Sequence, residues 1–276
     1  MFIVKVPAIN SLWKTNGCER AGNAILECLK EIHSNEEGIP LDANLLDLEE
    51  IHVDNSNKEL SNNLIYKNAF EIFSEKPRTV FIGGDHSISY SLTRAFLDYC
   101  QDNKADEYAK EPCLIVFDSH ANCLNIKKEK KEPNNEEWIR KLVEDGFPSK
   151  NILLIGARNI NKDEILFLKE KGIRIISMNQ LLNDLEDTCD IIMEFSSGRE
   201  LYISIDINVI DPAFAPATYY IEPGGLSSRE FIYLIQRLNK MKNLRAVDLV
   251  EINAEKDKNF NNKTVKLGAK ILGELI

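Results

Sequence analysis

Short apolar runs alternate with amphipathic stretches along almost the whole chain. Phe2–Val6 alternates like a first strand, and Thr79–Ile82, Leu114–Phe117 and Leu201–Ile205 are nearly continuous runs of β-formers. Such runs suit strands buried on both faces of a parallel sheet. Further strands fall near Leu45–Leu48, Asn151–Ile155, Ile173–Ser177 and Leu244–Val250, and the third run extends to Asp206. Between them, apolar residues recur at helical spacing. Glu19–His33 carries Ala21, Ala24, Ile25, Cys28, Leu29 and Ile32 on one face. The same periodicity predicts helices over Glu59–Ser74, Ser87–Tyr99, Glu136–Val143, Lys162–Lys171, Ser228–Lys240 and Lys263–Leu275. About eight strands alternating with helices predict an α/β protein: an open, mostly parallel eight-stranded sheet with helices on both faces. A closed (β/α) barrel is the main rival from pattern alone. No repeat or Gly/Ser linker interrupts the pattern, so residues 1–276 read as one domain.

Composition narrows the functional classes. A hydrophobic share of 43% over 276 residues is enough for a sizeable core. A net charge of -10 argues against nucleic acid or an anionic membrane surface as partner. The six cysteines include no C-x-x-C pair, which reads as a reducing, cytoplasmic setting without a zinc ribbon. The apolar run at the N-terminus is too short for a signal peptide.

Candidate chemistry sits where three of the strands stop. Thr79–Ile82 runs into Gly83, Gly84, Asp85, His86 and Ser87. Leu114–Phe117 runs into Asp118, Ser119, His120, Ala121 and Asn122. Leu201–Ile205 runs into Asp206, Asn208 and Asp211 ahead of Pro212. Ligands of open α/β sheets bind outside the carboxyl ends of the strands. Asp206 and Asn208 are two apart and leave the same face of an extended segment. Oxygen donors and imidazoles gathered in this way suit a hard divalent ion.

These segments resemble the signatures of the arginase/agmatinase (ureohydrolase) family. They are GGDHS at Gly83–Ser87, DSHAN at Asp118–Asn122 and SIDINVIDPAFAPA at Ser204–Ala217, with EPGGLSSRE at Glu222–Glu230 and DLVEIN at Asp248–Asn253 also family-like. The resemblance implies the open eight-stranded sheet rather than the barrel. It implies two Mn²⁺ ions, one held by His86, Asp118, Asn122 and Asp206, the other by His120, Asp118, Asp206 and Asn208. Asp118 and Asp206 would bridge them. Ions about 3.5 Å apart acidify a shared water, which attacks a guanidinium carbon and releases urea. By the same resemblance Glu251 pairs with the substrate guanidinium, Thr218 lies on the substrate side, and the chain forms a trimer or hexamer.

The departures matter as much as the match. The family has Asp where this chain has Asn122 and Asn208. An amide oxygen can ligate a metal but brings no charge. With Asp118 and Asp206 as the remaining carboxylates, two doubly charged ions would be left half-compensated, a large cost in a buried site. Residues 123–150 lack the His that the family carries in this loop, and Tyr219 and Tyr220 replace small residues. The resemblance therefore implies hydrolysis of a guanidino compound, agmatine-like before arginine-like, at a weakened metal site. A non-catalytic binder or structural subunit is the alternative, and a relative acting on another amide-type substrate is a third. Blander readings apply elsewhere. His33 and His52 read as surface groups, Asp85 as orienting the Gly-Gly turn, Cys123 as a buried filler and Lys127–Glu132 as a solvated loop.

Overall fold

The computed structural model describes residues 1–10, 14–102, 110–126 and 132–276. Eight strands form one sheet: β1 (Phe2–Val6), β2 (Asp47–Glu50), β3 (Thr79–Gly83), β4 (Pro112–Phe117), β5 (Ile152–Ile155), β6 (Arg174–Ile176), β7 (Glu200–Asp206) and β8 (Leu244–Val250). Their order is β2-β1-β3-β8-β7-β4-β5-β6, and every pairing is parallel. The sheet is open and eight-stranded as expected, and the rival barrel falls away.

The helices are α1 (Ala21–Leu29), α2 (Lys58–Glu75), α3 (Ile88–Asp102), α4 (Trp138–Glu144), α5 (Lys162–Lys171), α6 (Met178–Asn183), α7 (Leu185–Ser196), α8 (Ser228–Asn239), α9 (Ala254–Asp257) and α10 (Lys263–Leu275). Alternation along the strands feeds two cores. In β4, Ile115 and Phe117 pack with α1, α6, α7, α8 and α10, while Leu114 and Val116 pack with α2, α3, α4 and α5. Being apolar on both faces, the central strands are continuous hydrophobic runs in the sequence.

Several elements differ from the sequence reading. The first helix is shorter than Glu19–His33, because a 3-10 turn at Cys18–Arg20 precedes it and turns follow Leu29. The second strand starts at Asp47 rather than Leu45, since Ala43–Leu45 is a 3-10 turn capped by Asp42. Helices α6 and α7 were not anticipated, although each starts at a readable cap. Ser177 and Gln180 form a capping box, and Asp184 accepts from the backbone N–H of Asp187. Residues 127–131 of the expected charged loop lie outside the described residues. No helix among the described residues is long and apolar enough to cross a membrane.

Candidate active site

The strands β3, β8, β7 and β4 are consecutive neighbours at the centre of the sheet. Their carboxyl ends deliver Gly83–His86, Glu251, Asp206–Asn208 and Asp118–Asn122 respectively. Segments far apart in the chain thus meet at one edge, as the ligand rule for α/β sheets requires.

The turn after β3 depends on close backbone approach. A Cβ on Gly84 would lie 1.9 Å from the carbonyl oxygen of Ala8. Asp85 points away from the metal candidates. It accepts from the backbone N–H groups of Asn10 (2.8 Å) and Ser87 (3.1 Å) and from the hydroxyls of Thr15 (2.7 Å) and Ser87 (2.5 Å). It therefore ties the N-terminal segment to the turn. His33 and His52 are both exposed and lie outside this edge, and Cys123 is fully buried.

His86 is oriented from behind. Ser204 Oγ donates to Asp248 Oδ1 at 2.7 Å, so its lone pairs face His86 Nε2 at 2.9 Å. Asp248 also accepts from Ser89 Oγ (2.8 Å) and Tyr202 OH (2.9 Å). With the Ser204 proton committed, Nε2 donates to Ser204 and Nδ1 faces forward. Burial opposes charge on the ring, but Asp118 and Asp206 raise it well above the usual imidazole range, so Nδ1 is also protonated. Nδ1 lies 3.0 Å from Asp118 Oδ2 and 3.1 Å from Asp206 Oδ2. Donor atoms of His86, Asp118 and Asp206 all lie within 4.8 Å of one another, and all three residues are buried. His120 faces elsewhere: its Nδ1 is 3.0 Å from Ser119 Oγ and 3.3 Å from Asp118 Oδ1, and its Nε2 is 3.6 Å from Glu222.

Both asparagines turn their amide nitrogens to the carboxylates. Asn122 Nδ2 donates to Asp118 Oδ2 at 2.6 Å and Asn208 Nδ2 to Asp206 Oδ2 at 3.0 Å. The Thr218 hydroxyl lies 3.4 Å from Asn208 Oδ1. Asn122 (φ 51°) and Glu251 (φ 66°) hold left-handed backbone conformations. Asn tolerates that region, whereas for Glu it marks a strained, over-determined position.

Electrostatics follow from burial. Burial opposes charge on Asp118, but the two histidines beside it hold its carboxyl well below the usual carboxylate range. Asp206 carries the remaining strain: burial, and next the Asp118 charge, push it up to about 7. Burial works against charging His120, yet the Asp118 carboxylate lifts it to about 9. Glu251 is pushed well above the ordinary range, first by burial and then by Asp206 and Asp85. Its Oε1 accepts from the His86 N–H (2.9 Å) and Asn135 Nδ2 (3.2 Å), while Oε2 is buried with no partner among the described residues.

A cavity of about 220 Å³ opens over this cluster. His86, His120, Asn122, Asp206 and Asn208 reach its wall, and so does Tyr220, one of the two tyrosines that replace small residues of the family. Asp118, Thr218 and Glu251 do not line it. Asn135, Glu136, Asn159, Asn161, Glu164 and Glu222 do, and sequence reasoning missed all six. The family-like EPGG at Glu222 was the one available signal. The others come from segments with no strand-end pattern.

These positions define a class of protein first: an open α/β sheet with a His/Asp cluster and a buried Glu at its carboxyl edge. The sequence model of the Arginase family matches residues 1–276, and the chain belongs to that family. It is 29% identical over 218 residues to the mitochondrial arginase 1 of Arabidopsis thaliana, covering 77% of this chain and 58% of that protein. It is 28% identical over 238 residues to the agmatinase of Bacillus subtilis (strain 168), covering 85% and 75%. The chain thus spans less than two thirds of the plant arginase. In fold it is similar to the crystal structure of formimidoylglutamase from Bacillus subtilis, with a TM-score of 0.88, 24% identity and coverage of 99% and 85%.

The donor set can be compared with the metal pair that the family resemblance implies. One hard divalent ion fits His86, Asp118 and Asp206, with the amide oxygens of Asn122 and Asn208 as further ligands once both amides turn. For the second ion's set, His120 Nδ1 lies 3.3 Å from Asp118 Oδ1 and 3.0 Å from Ser119 Oγ, its Nε2 faces Glu222, and Asn208 supplies no charge.

Proposed function

We propose that this chain hydrolyses the amidino C–N bond of a small cationic guanidino compound, consuming water and releasing urea and an amine. Family membership and the buried His/Asp cluster support the reaction class. The observation that carries the guanidino reading is the Glu251 carboxylate, buried beside the cluster with one oxygen unpaired. A guanidinium supplies the planar pair of N–H donors that such a carboxylate lacks.

The residues divide the task. Ser204 and Asp248 hold the His86 ring in the orientation that presents Nδ1 forward. His86, Asp118 and Asp206 would hold one divalent ion, Mn²⁺ by resemblance. Such an ion acidifies water at neutral pH and polarises the amidino group. Glu251 orients the guanidinium. Asn135 is hydrogen-bonded to Glu251, so a substrate reaching that carboxylate displaces the amide.

The wall also favours an amine tail over an amino-acid tail. Glu136, Glu164 and Glu222 line the cavity, and among the described residues no lysine or arginine does. A substrate carboxylate would meet like charges there, whereas the ammonium of an agmatine-like diamine would be attracted. Loss of turnover with retained binding is the second reading. It is favoured by the amide nitrogens on Asp118 and Asp206 and by an amide, not a proton carrier, at Asn135.

The test is urea release from agmatine and from arginine by Mn²⁺-supplemented protein, with calorimetric binding of both compounds and metal content by mass spectrometry. Faster urea release from agmatine, abolished in Glu251→Gln, is expected. Agmatine binding without urea would move the conclusion to the second reading. No binding of either compound would sink both.

A further inference from the structure

We propose that Asn122 and Asn208 substitute for cations in this site, so that the cluster closes as a complete hydrogen-bonded network without metal. The site is that of the proposed hydrolysis, but the amide contacts alone carry the assignment.

Chemistry dictates the orientation of both amides. Asn122 places an amide atom 2.6 Å from Asp118 Oδ2, and Asn208 places one 3.0 Å from Asp206 Oδ2. At these separations a carboxylate oxygen needs a donor opposite it, so the NH₂ group must face the carboxylate. A carboxylate at either position would instead set oxygen against oxygen and need a cation between them.

Position supports the same assignment. Asn122 Nδ2 is also 3.3 Å from His86 Nδ1, so its hydrogens occupy the space on which the cluster's donor atoms converge. Asn208 is held at both ends. Its backbone N–H donates to Asp206 Oδ1 at 2.8 Å, and its carbonyl oxygen faces the Thr218 hydroxyl at 3.4 Å. The Asn122 backbone carbonyl accepts from the Ile139 N–H at 3.1 Å, which ties its left-handed backbone to α4. Both residues are buried.

The folded state therefore does not depend on divalent metal, because Asp118 and Asp206 are satisfied from within. Metal entry must compete with two charge-assisted hydrogen bonds and turn both amides.

The experiment is thermal unfolding of the full chain after EDTA dialysis and again with added MnCl₂, alongside the double variant Asn122→Asp/Asn208→Asp. The unaltered protein is expected to unfold at the same temperature in both conditions, within about 2 °C. The double variant should lose roughly 5–10 °C in EDTA and regain it with Mn²⁺. A double variant that folds only with Mn²⁺ supports the proposal equally. If it folds in neither condition, the unaltered protein and Asn208→Asp decide. An unaltered protein stabilised by roughly 5 °C or more on adding Mn²⁺ overturns the proposal. So does a variant that unfolds in EDTA at the unaltered temperature. Urea release is not read here, so failure of the hydrolysis reading leaves this test unaffected.

Discussion

Asn135, which lines the cavity, reaches back 3.2 Å to Oε1 of Glu251, which does not. The carboxylate best suited to a guanidinium is thus covered by a neutral amide, and its second oxygen is left without a partner among the described residues. A buried orphan of this kind costs stability and is kept where a ligand completes it.

Replacing Glu251 by Gln removes the charge and keeps the shape. Binding of agmatine is expected to weaken by about 10-fold or more, the scale of a charge-assisted hydrogen bond. Folding stability should rise by about 1 kcal/mol, because a neutral amide is cheaper to bury than a carboxylate. Calorimetric titration with agmatine and urea unfolding check the two effects. A variant that binds agmatine as tightly as the unaltered chain would remove Glu251 from the guanidino site.

Glu222 stands on the cavity wall, 3.6 Å from His120 Nε2 and hydrogen-bonded to Asn159. If it attracts an amine tail, Glu222→Gln should raise the agmatine dissociation constant about 5-fold. The effect should shrink at high salt, since the group is partly solvated. Arginine binding should change little or improve. Equal weakening for both compounds would show that Glu222 acts on the guanidino end.

Gly84 has no room for a side chain, since its Cβ would meet the Ala8 carbonyl at 1.9 Å. The obstructing atom is backbone and cannot swing aside. Gly84→Ala is expected to cost about 3 kcal/mol or more, or to abolish soluble protein. Comparison with an exposed control such as Lys242→Ala, by urea unfolding and yield, decides the point. A shift under about 1 kcal/mol would mean that the turn relaxes at little cost.

Glu36, which does not line the cavity, supplies a pH dependence of its own. Hydrogen bonds from Arg229, and less so from Gln236, lower its carboxyl to about 2. The folded value lies below the unfolded one, so this ion pair's contribution is present above the usual Glu range. It fades as pH falls through about 2. Glu36→Gln should therefore cost about 1 kcal/mol at pH 7, as suits a partly exposed pair. The difference should vanish towards pH 2. Unfolding curves of both proteins across that range give the readout, and a gap that widens on acidification would contradict it.

By itself the sequence determined the strands, their burial and the residue types at their ends. A strand covered on both faces must be apolar throughout, so Thr79–Ile82 and Leu114–Phe117 were legible as local patterns, within the observed strands Thr79–Gly83 and Pro112–Phe117. Strand ends carrying His86, Asp118, His120 and Asp206 were legible for the same reason, since polar groups there interrupt apolar runs. The sheet order was settled only in three dimensions. It sets β3 beside β8 and β7 beside β4, which brings Glu251 next to His86 across 165 positions. The direction of each amide and the covering of Glu251 by Asn135 were also decided only there. Hydrogen bonds between distant segments choose them, and no local periodicity records such a choice. The cavity wall belongs with these features, because Asn135, Asn159, Glu164 and Glu222 come from loops and a helix cap whose side chains converge only when the sheet has set their positions.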